Sequence, residues 1–125
     1  MKGKLIYEDL TYKVRGAIFK VYNELGYGHK ENVYSNSLSI EFAKQNIVFN
    51  REKKLQVKYN KQVVGFYQPD FIVDNKVILE IKSLDVIPLS LEKQLIYYLK
   101  GTNYRLGLLV NFGNDKVVIK RKIWG

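Results

Sequence analysis

The sequence predicts an α/β fold in which helices and a mixed sheet share one core. Three observations favour this class: two helical stretches come first, strand-like stretches rich in β-branched and aromatic residues follow, and a third helical stretch precedes two last strands. The predicted order is α-α-β-β-β-α-β-β. No linker, repeat or low-complexity segment interrupts this order, so residues 1–125 are expected to form a single domain.

The helices are predicted from the spacing of apolar residues. Over residues 7–25 these residues recur every three or four positions, as on one face of a helix, and Gly26 is expected to end it. A second helical pattern begins near Val33 and ends near Asn46. The third follows Pro88 and reads LSLEKQLIYYLKG, with Ser90 as its expected N-terminal cap.

Five strands are predicted from composition and alternation. They cover residues 47–59, 62–73, 76–83, 104–112 and 116–124, with a hairpin turn at 59–62. In the third strand Val77, Leu79 and Ile81 lie on one face and Ile78, Glu80 and Lys82 on the other. The alternation therefore places Glu80 and Lys82 side by side.

The position of Asp70 depends on the turn that precedes this third strand. A three-residue turn centred on Asn75 would place Asp70 directly opposite Glu80, on the same face of the sheet. A two-residue turn would shift the register by one and send Asp70 to the other face. The sequence leaves both turns open.

An acidic residue followed two positions later by lysine occurs at Glu52/Lys54, Asp74/Lys76 and Glu80/Lys82. The last pair alone lies within a strongly apolar strand, where ionised groups are costly unless they are compensated. If Asp70 joins them, a divalent cation could hold both carboxylates ionised. Because the ligands are oxygens, with no cysteine and a single histidine in the chain, Mg²⁺ or Mn²⁺ is the expected cation. The alternative is a solvated strand face on which Lys82 neutralises the acids.

Charge favours a polyanionic partner. The formal net charge is +9, from 21 Lys+Arg against 12 Asp+Glu, which attracts nucleic acid, although excess lysines also serve simply to solvate a surface. The absence of cysteine excludes disulfides, zinc–thiolate sites and cysteine nucleophiles. With no run of 18 apolar residues, we expect a cytoplasmic protein with no membrane partner. The oligomeric state stays open.

Several short motifs follow one another in a specific order and spacing. They are Gly28-His29-Lys30-Glu31-Asn32-Val33-Tyr34, Pro69-Asp70, Glu80-Ile81-Lys82, Gln94-Leu95 with Tyr98-Leu99, and Gly107-Leu108-Leu109-Val110-Asn111-Phe112-Gly113. In this order they resemble the GxxExxY family, a small branch of the PD-(D/E)xK nuclease superfamily, over nearly the whole chain. The resemblance implies a three-layer α-β-α sandwich with a mixed central sheet.

The resemblance also implies the site residues. Asp70 and Glu80 would bind the divalent metal with help from the backbone carbonyl of Ile81. Lys82 would orient or deprotonate the attacking water, in agreement with the metal's effect on the acidity of bound water. Glu31 would complete the metal shell directly or through water.

Gln94 and Tyr98 lie four residues apart on one helical face and look like the QxxxY element of RecB-type nucleases, which contacts substrate or the attacking water. His29 stands at a variable position of the signature and is expected to have a loop or capping role. A departure occurs at Leu91, where many family members carry a histidine.

The sequence therefore predicts a metal-dependent nuclease that hydrolyses phosphodiester bonds, with DNA favoured over RNA as substrate. One alternative is a catalytically inactive nucleic-acid-binding or adaptor module with the same fold. Another is a structural protein whose basic charge is incidental.

Overall fold

The computed structural model describes residues 6–125, and within that range the chain forms three helices and seven strands. In chain order these elements are α1 (Glu8–Leu25), α2 (Glu31–Lys44), β1 (Phe49–Arg51), β2 (Leu55–Tyr59), β3 (Gln62–Tyr67), β4 (Phe71–Val73), β5 (Val77–Lys82), α3 (Leu89–Gly101), β6 (Leu106–Asn111) and β7 (Val118–Ile123).

The strands form a central sheet and a separate hairpin. The central sheet has five strands in the order β1-β4-β5-β6-β7, and β2 pairs with β3 alone. Strands β5 and β6 run parallel, while the other neighbours in the central sheet run antiparallel. Helix α3 makes the crossover between the two parallel strands, as a parallel pair requires.

Each face of the central sheet is covered by its own layer. Helices α1 and α2 pack on one face, against buried side chains that include Leu79 and Ile81 of β5. Helix α3 and the β2–β3 hairpin pack on the other face, where Ile78 contacts Leu95 and Leu99. The predicted three-layer sandwich with a mixed central sheet is confirmed.

The predictions of single strands over residues 47–59 and 62–73 were wrong. Each segment breaks into two strands that belong to different sheets. The first break contains Glu52, whose φ of 54° leaves the extended region. The second contains Pro69, which lacks the N–H that a strand would use for pairing.

Two turns have the conformations that the sequence indicates. Asn60 and Lys61 have φ angles of 50° and 64° in the β2–β3 turn, and Asp74 and Asn75 have φ angles of 51° and 52° in the β4–β5 turn. Asn and Asp tolerate this left-handed region better than most residues. Because Val73 pairs with Val77, the β4–β5 connection is the three-residue turn.

The helix ends agree with the sequence in part. Gly26 ends α1 with a φ of 73°, a conformation that glycine adopts without strain. Ser90 is not the cap of α3, because the helix already begins at Leu89 and the extended Pro88 precedes it. A proline immediately before the first turn starts the helix without a side-chain cap.

Candidate active site

Asp70 and Glu80 lie opposite each other at the end of the β4–β5 pair. The register Phe71↔Leu79 brings Asp70, the residue before β4, to the level of Glu80. The backbone N–H of Asp70 donates to Oε1 of Glu80 at 2.9 Å, and the N–H of Ile81 donates to Oδ2 of Asp70 at 2.6 Å. The two carboxyl groups are therefore held by backbone as well as by side-chain packing.

Burial makes both carboxyl groups reluctant to ionise. Burial is the main cause that raises the pKa of Glu80 to about 7, and the charge of Asp70 raises it further. The backbone N–H of Asp70 and the charge of Lys82 lower the same pKa. Burial also raises the pKa of Asp70, while the N–H of Ile81 and the charge of Lys82 oppose that rise. A charged pair here is costly until a cation compensates it.

Lys82 lies two residues beyond Glu80 on the same face of β5 and is partly buried. Its positive charge lowers the pKa of both carboxyl groups, so it lies near them. Among the described residues its ammonium group forms no ion pair within 4.0 Å. The group therefore remains able to contact a substrate oxygen or a water molecule.

Tyr67 lies beside Glu80 and was missed by the sequence analysis. Tyr67 is 4% exposed, and its hydroxyl lies close to the Glu80 carboxylate without a hydrogen bond of good geometry in the described part of the chain. Burial is the main cause that raises the pKa of Tyr67, and the charge of Glu80 comes next, so the hydroxyl is near that carboxylate. The alternation of residues over 62–73 could not place Tyr67 relative to Asp70, because the strand breaks at Pro69, between these two residues.

Gln94 and Tyr98 of α3 are connected to this group through Tyr67. Gln94 Nε2 donates to the Tyr98 hydroxyl at 3.4 Å, and the Tyr98 ring stacks on the Tyr67 ring with 3.6 Å between centroids. The predicted QxxxY pair is thus linked to the acidic pair through Tyr67. The contact through Tyr67 was not predicted.

Glu31 is less closely associated with the site. It is the exposed first residue of α2, and the loop before it reaches β5 where the Ser83 hydroxyl donates to the carbonyl oxygen of His29. In the described range 6–125, no three His, Cys, Asp or Glu side chains form a group that could hold a metal ion. Ligation of the metal by Glu31, directly or through water, therefore stays a prediction.

The donor set of Asp70 and Glu80 fits a hard divalent cation. One oxygen of each carboxylate accepts a backbone N–H, and the other is left for a further partner. Mg²⁺ is commonly bound by one or two carboxylates and keeps several waters, so two acids are sufficient. The backbone carbonyl of Ile81 stays the predicted third protein ligand.

A buried amide braces the loop that follows Lys82. Asn111 is 2% exposed; its Oδ1 accepts the N–H groups of Leu84 and Gly113 at 2.8 and 3.1 Å, and its Nδ2 donates to the Leu84 carbonyl at 2.8 Å. The N–H of Phe112 also donates to the Lys82 carbonyl at 2.9 Å. The ends of β5 and β6 are therefore fixed together next to the site.

We expect Gly113→Ala to destabilise the protein. An added Cβ would lie 2.1 Å from the backbone nitrogen of Leu84 and 2.2 Å from its oxygen, so backbone must move, at a cost of about 1–3 kcal/mol or more. The matched control is Gly16→Ala in α1, where nothing lies within 4 Å and alanine favours helix. Thermal unfolding of both variants measures the difference, and equal melting temperatures would contradict the close approach.

An α/β sandwich with an acidic pair and a lysine at the end of a central strand defines a nuclease-like class of fold. The model of the PD-(D/E)XK nuclease superfamily matches residues 8–122. The chain therefore belongs to the PD-(D/E)XK nuclease superfamily, whose members are generally phosphodiester hydrolases that use divalent metals. No curated protein and no solved structure was found to match the chain. None of the helices described here is long and apolar enough to cross a membrane.

Proposed function

We propose that the protein is a Mg²⁺-dependent nuclease that hydrolyses phosphodiester bonds in nucleic acid, with DNA preferred over RNA. The observation that carries the proposal is the pairing of Asp70 with Glu80 through their backbone hydrogen bonds, with Lys82 on the same face. The membership in a nuclease superfamily and the net charge of +9 support a polyanionic substrate.

In this proposal the residues of the site have separate roles. Asp70 and Glu80 hold Mg²⁺ or Mn²⁺, and the Ile81 carbonyl assists them. When bound, the metal would lower the pKa of a water molecule and stabilise negative charge on the phosphate. Lys82 positions the attacking water or takes its proton, since no carboxylate in the described range 6–125 forms an ion pair with its ammonium group.

Two groups at the margin of the site would act on the substrate. Gln94 and Tyr98 lie beside Tyr67 and offer an amide and a hydroxyl to the phosphate or to the water. Glu31 would act through a water molecule. Assignment to the GxxExxY branch, whose signature includes Glu31, is part of the same proposal.

A second candidate function is a nucleic-acid-binding adaptor without activity. The observation that favours it is Leu91 of α3, which packs partly buried against the core at the position where the GxxExxY family that the sequence resembles commonly has a histidine. A leucine can neither donate a proton nor bind phosphate. The carboxylates and Lys82 are nevertheless present, and for this reason the nuclease is the function that we propose.

The test is incubation of the protein with labelled single- and double-stranded DNA and RNA, with Mg²⁺, with Mn²⁺ or with EDTA. We expect cleavage with either metal, none with EDTA and faster cleavage of DNA. Asp70→Asn, purified in the same way, is the control for a contaminating nuclease. Binding without cleavage under all metal conditions would establish the adaptor instead.

A further inference from the structure

The surface of the described chain has two clefts of similar size and different charge. One, of about 640 Å³, is lined by Glu8, Asp9 and Asp74 together with Lys13 and Lys76. The other, of about 710 Å³, has no acidic residue in its lining. The two clefts adjoin, since Tyr7 and Lys76 line both, but the acidic residues line only the first. This difference points to an anion as the occupant of the second cleft.

The second cleft, which we call the basic cleft, is lined by Lys58, Lys76, Lys100 and Arg105. Lys76 is paired with Asp74 at 3.1 Å, but Lys58 has no ion pair among the described residues. Lys100 lies over the Trp124 ring at 4.5 Å, a contact that leaves its charge uncompensated. Among the described residues, Lys58 and Lys100 therefore lack a carboxylate partner, and Arg105 donates a hydrogen bond to the oxygen of Gly125 at 3.3 Å.

Neutral groups in the same lining add polarity. The side chains of Gln56, Asn75, Thr102 and Asn103 line the cleft beside the cations. In addition, residues 53–69, which form the β2–β3 hairpin on one side of the cleft, contain four lysines and no Asp or Glu. Such a mixture of cations and amides suits phosphate oxygens, and Tyr7, Leu55 and Tyr104 add apolar surface to the same lining.

The basic cleft lies at the other end of the central sheet from Glu80. Lys76 directly precedes β5 and Arg105 directly precedes β6, while Glu80 and Lys82 lie near the end of β5. Lys76 and Glu80 are four positions apart, about 13 Å along the strand. Helix α3 and the hairpin cover this face of the sheet between the two sites, so a nucleic acid that reaches both would pass over their outer surface and span at least about four base pairs.

We propose that the basic cleft binds the phosphodiester backbone of the nucleic acid, a few nucleotides away from the bond held at Asp70 and Glu80. The inference rests on the proposed function for its choice of ligand. In this proposal the hairpin and the end of α3 bind phosphate without a metal. The acidic site cannot do so, because two carboxylates repel a phosphate until a metal is bound.

The test compares two double variants that remove the same charge. Lys58→Gln with Arg105→Gln changes the basic cleft, and Lys13→Gln with Lys44→Gln changes exposed positions of α1 and α2. Affinity for a labelled 12-base-pair DNA is measured by fluorescence anisotropy in EDTA over a range of salt. We expect the cleft variant to lose at least ~10-fold in affinity and about 2 units of the log–log salt slope, and the control to lose less than ~2-fold.

The outcomes separate this inference from the proposed function, since binding in EDTA does not depend on cleavage. Loss of affinity confined to the cleft variant supports the inference even if the protein cleaves nothing. Equal loss in both variants overturns it, even if the protein is an active nuclease. Inorganic phosphate serves as a second probe: if the wild type binds phosphate in the cleft but the cleft variant keeps its DNA affinity, the cleft serves a small phosphate compound and the inference is wrong.

Discussion

Lys82→Ala is expected to lose about 10²- to 10⁴-fold in phosphodiester cleavage while its affinity for nucleic acid largely survives. Lys82 lies beside the two carboxyl groups and lowers the pKa of both, yet it forms no ion pair with them. Its role in the proposed function is to act on water, and this role matters in the reaction more than in binding. Single-turnover cleavage and DNA affinity in EDTA measure the two effects.

The matched control for this prediction is Lys93→Ala, which removes the same charge from an exposed position of α3. We expect that variant to cleave within a few-fold of the wild type. If Lys82→Ala cleaves as well as the wild type, the activity does not come from this site. If it loses binding in proportion to cleavage, Lys82 holds the substrate and another group activates the water.

The placement of Glu80 and Lys82 on one face was predictable because it depends on local alternation, whereas the face of Asp70 depended on the length of the turn. Alternation along β5 places Glu80 and Lys82 on one face, and Asp74 and Asn75 are residues that accept the left-handed turn. The sequence left open a two-residue turn, and the pairing of Val73 with Val77 decides for three residues. The helices were predictable for a similar reason, since their apolar residues recur with the helical period.

Other features depend on contacts between distant segments. The hairpin is separate from the central sheet because Leu55, Val57 and Tyr67 pack against α3. Strand propensity does not predict this contact between distant segments. Tyr67 reaches Glu80 for the same reason. Glu31 begins α2, and its part in the metal shell stays a prediction because it depends on how α2 is placed against β5. The basic cleft joins residues from four separate segments.

The acidic pair also has a cost for stability that metal binding should remove. Glu80 would ionise near pH 4.5 in the unfolded chain but near pH 7 in the folded one. Above pH 4.5 the unfolded state therefore releases a proton that the folded state keeps, and stability falls as the pH rises towards 7. Above pH 7 the full cost is present, at most about 3 kcal/mol from this shift.

Glu80→Gln is therefore expected to raise the melting temperature in EDTA at pH 8 and to leave it nearly unchanged at pH 4. The amide oxygen of glutamine can still accept the N–H of Asp70, so the hydrogen bond is kept while the charge is removed. Mg²⁺ or Mn²⁺ should stabilise the wild type, because a ligand that binds only the folded state raises its stability, and should have little effect on the variant. The control is Glu24→Gln on the exposed side of α1, which should show neither effect. A wild type that gains no stability from either metal, or a variant that gains as much, would show that Glu80 is not a metal ligand.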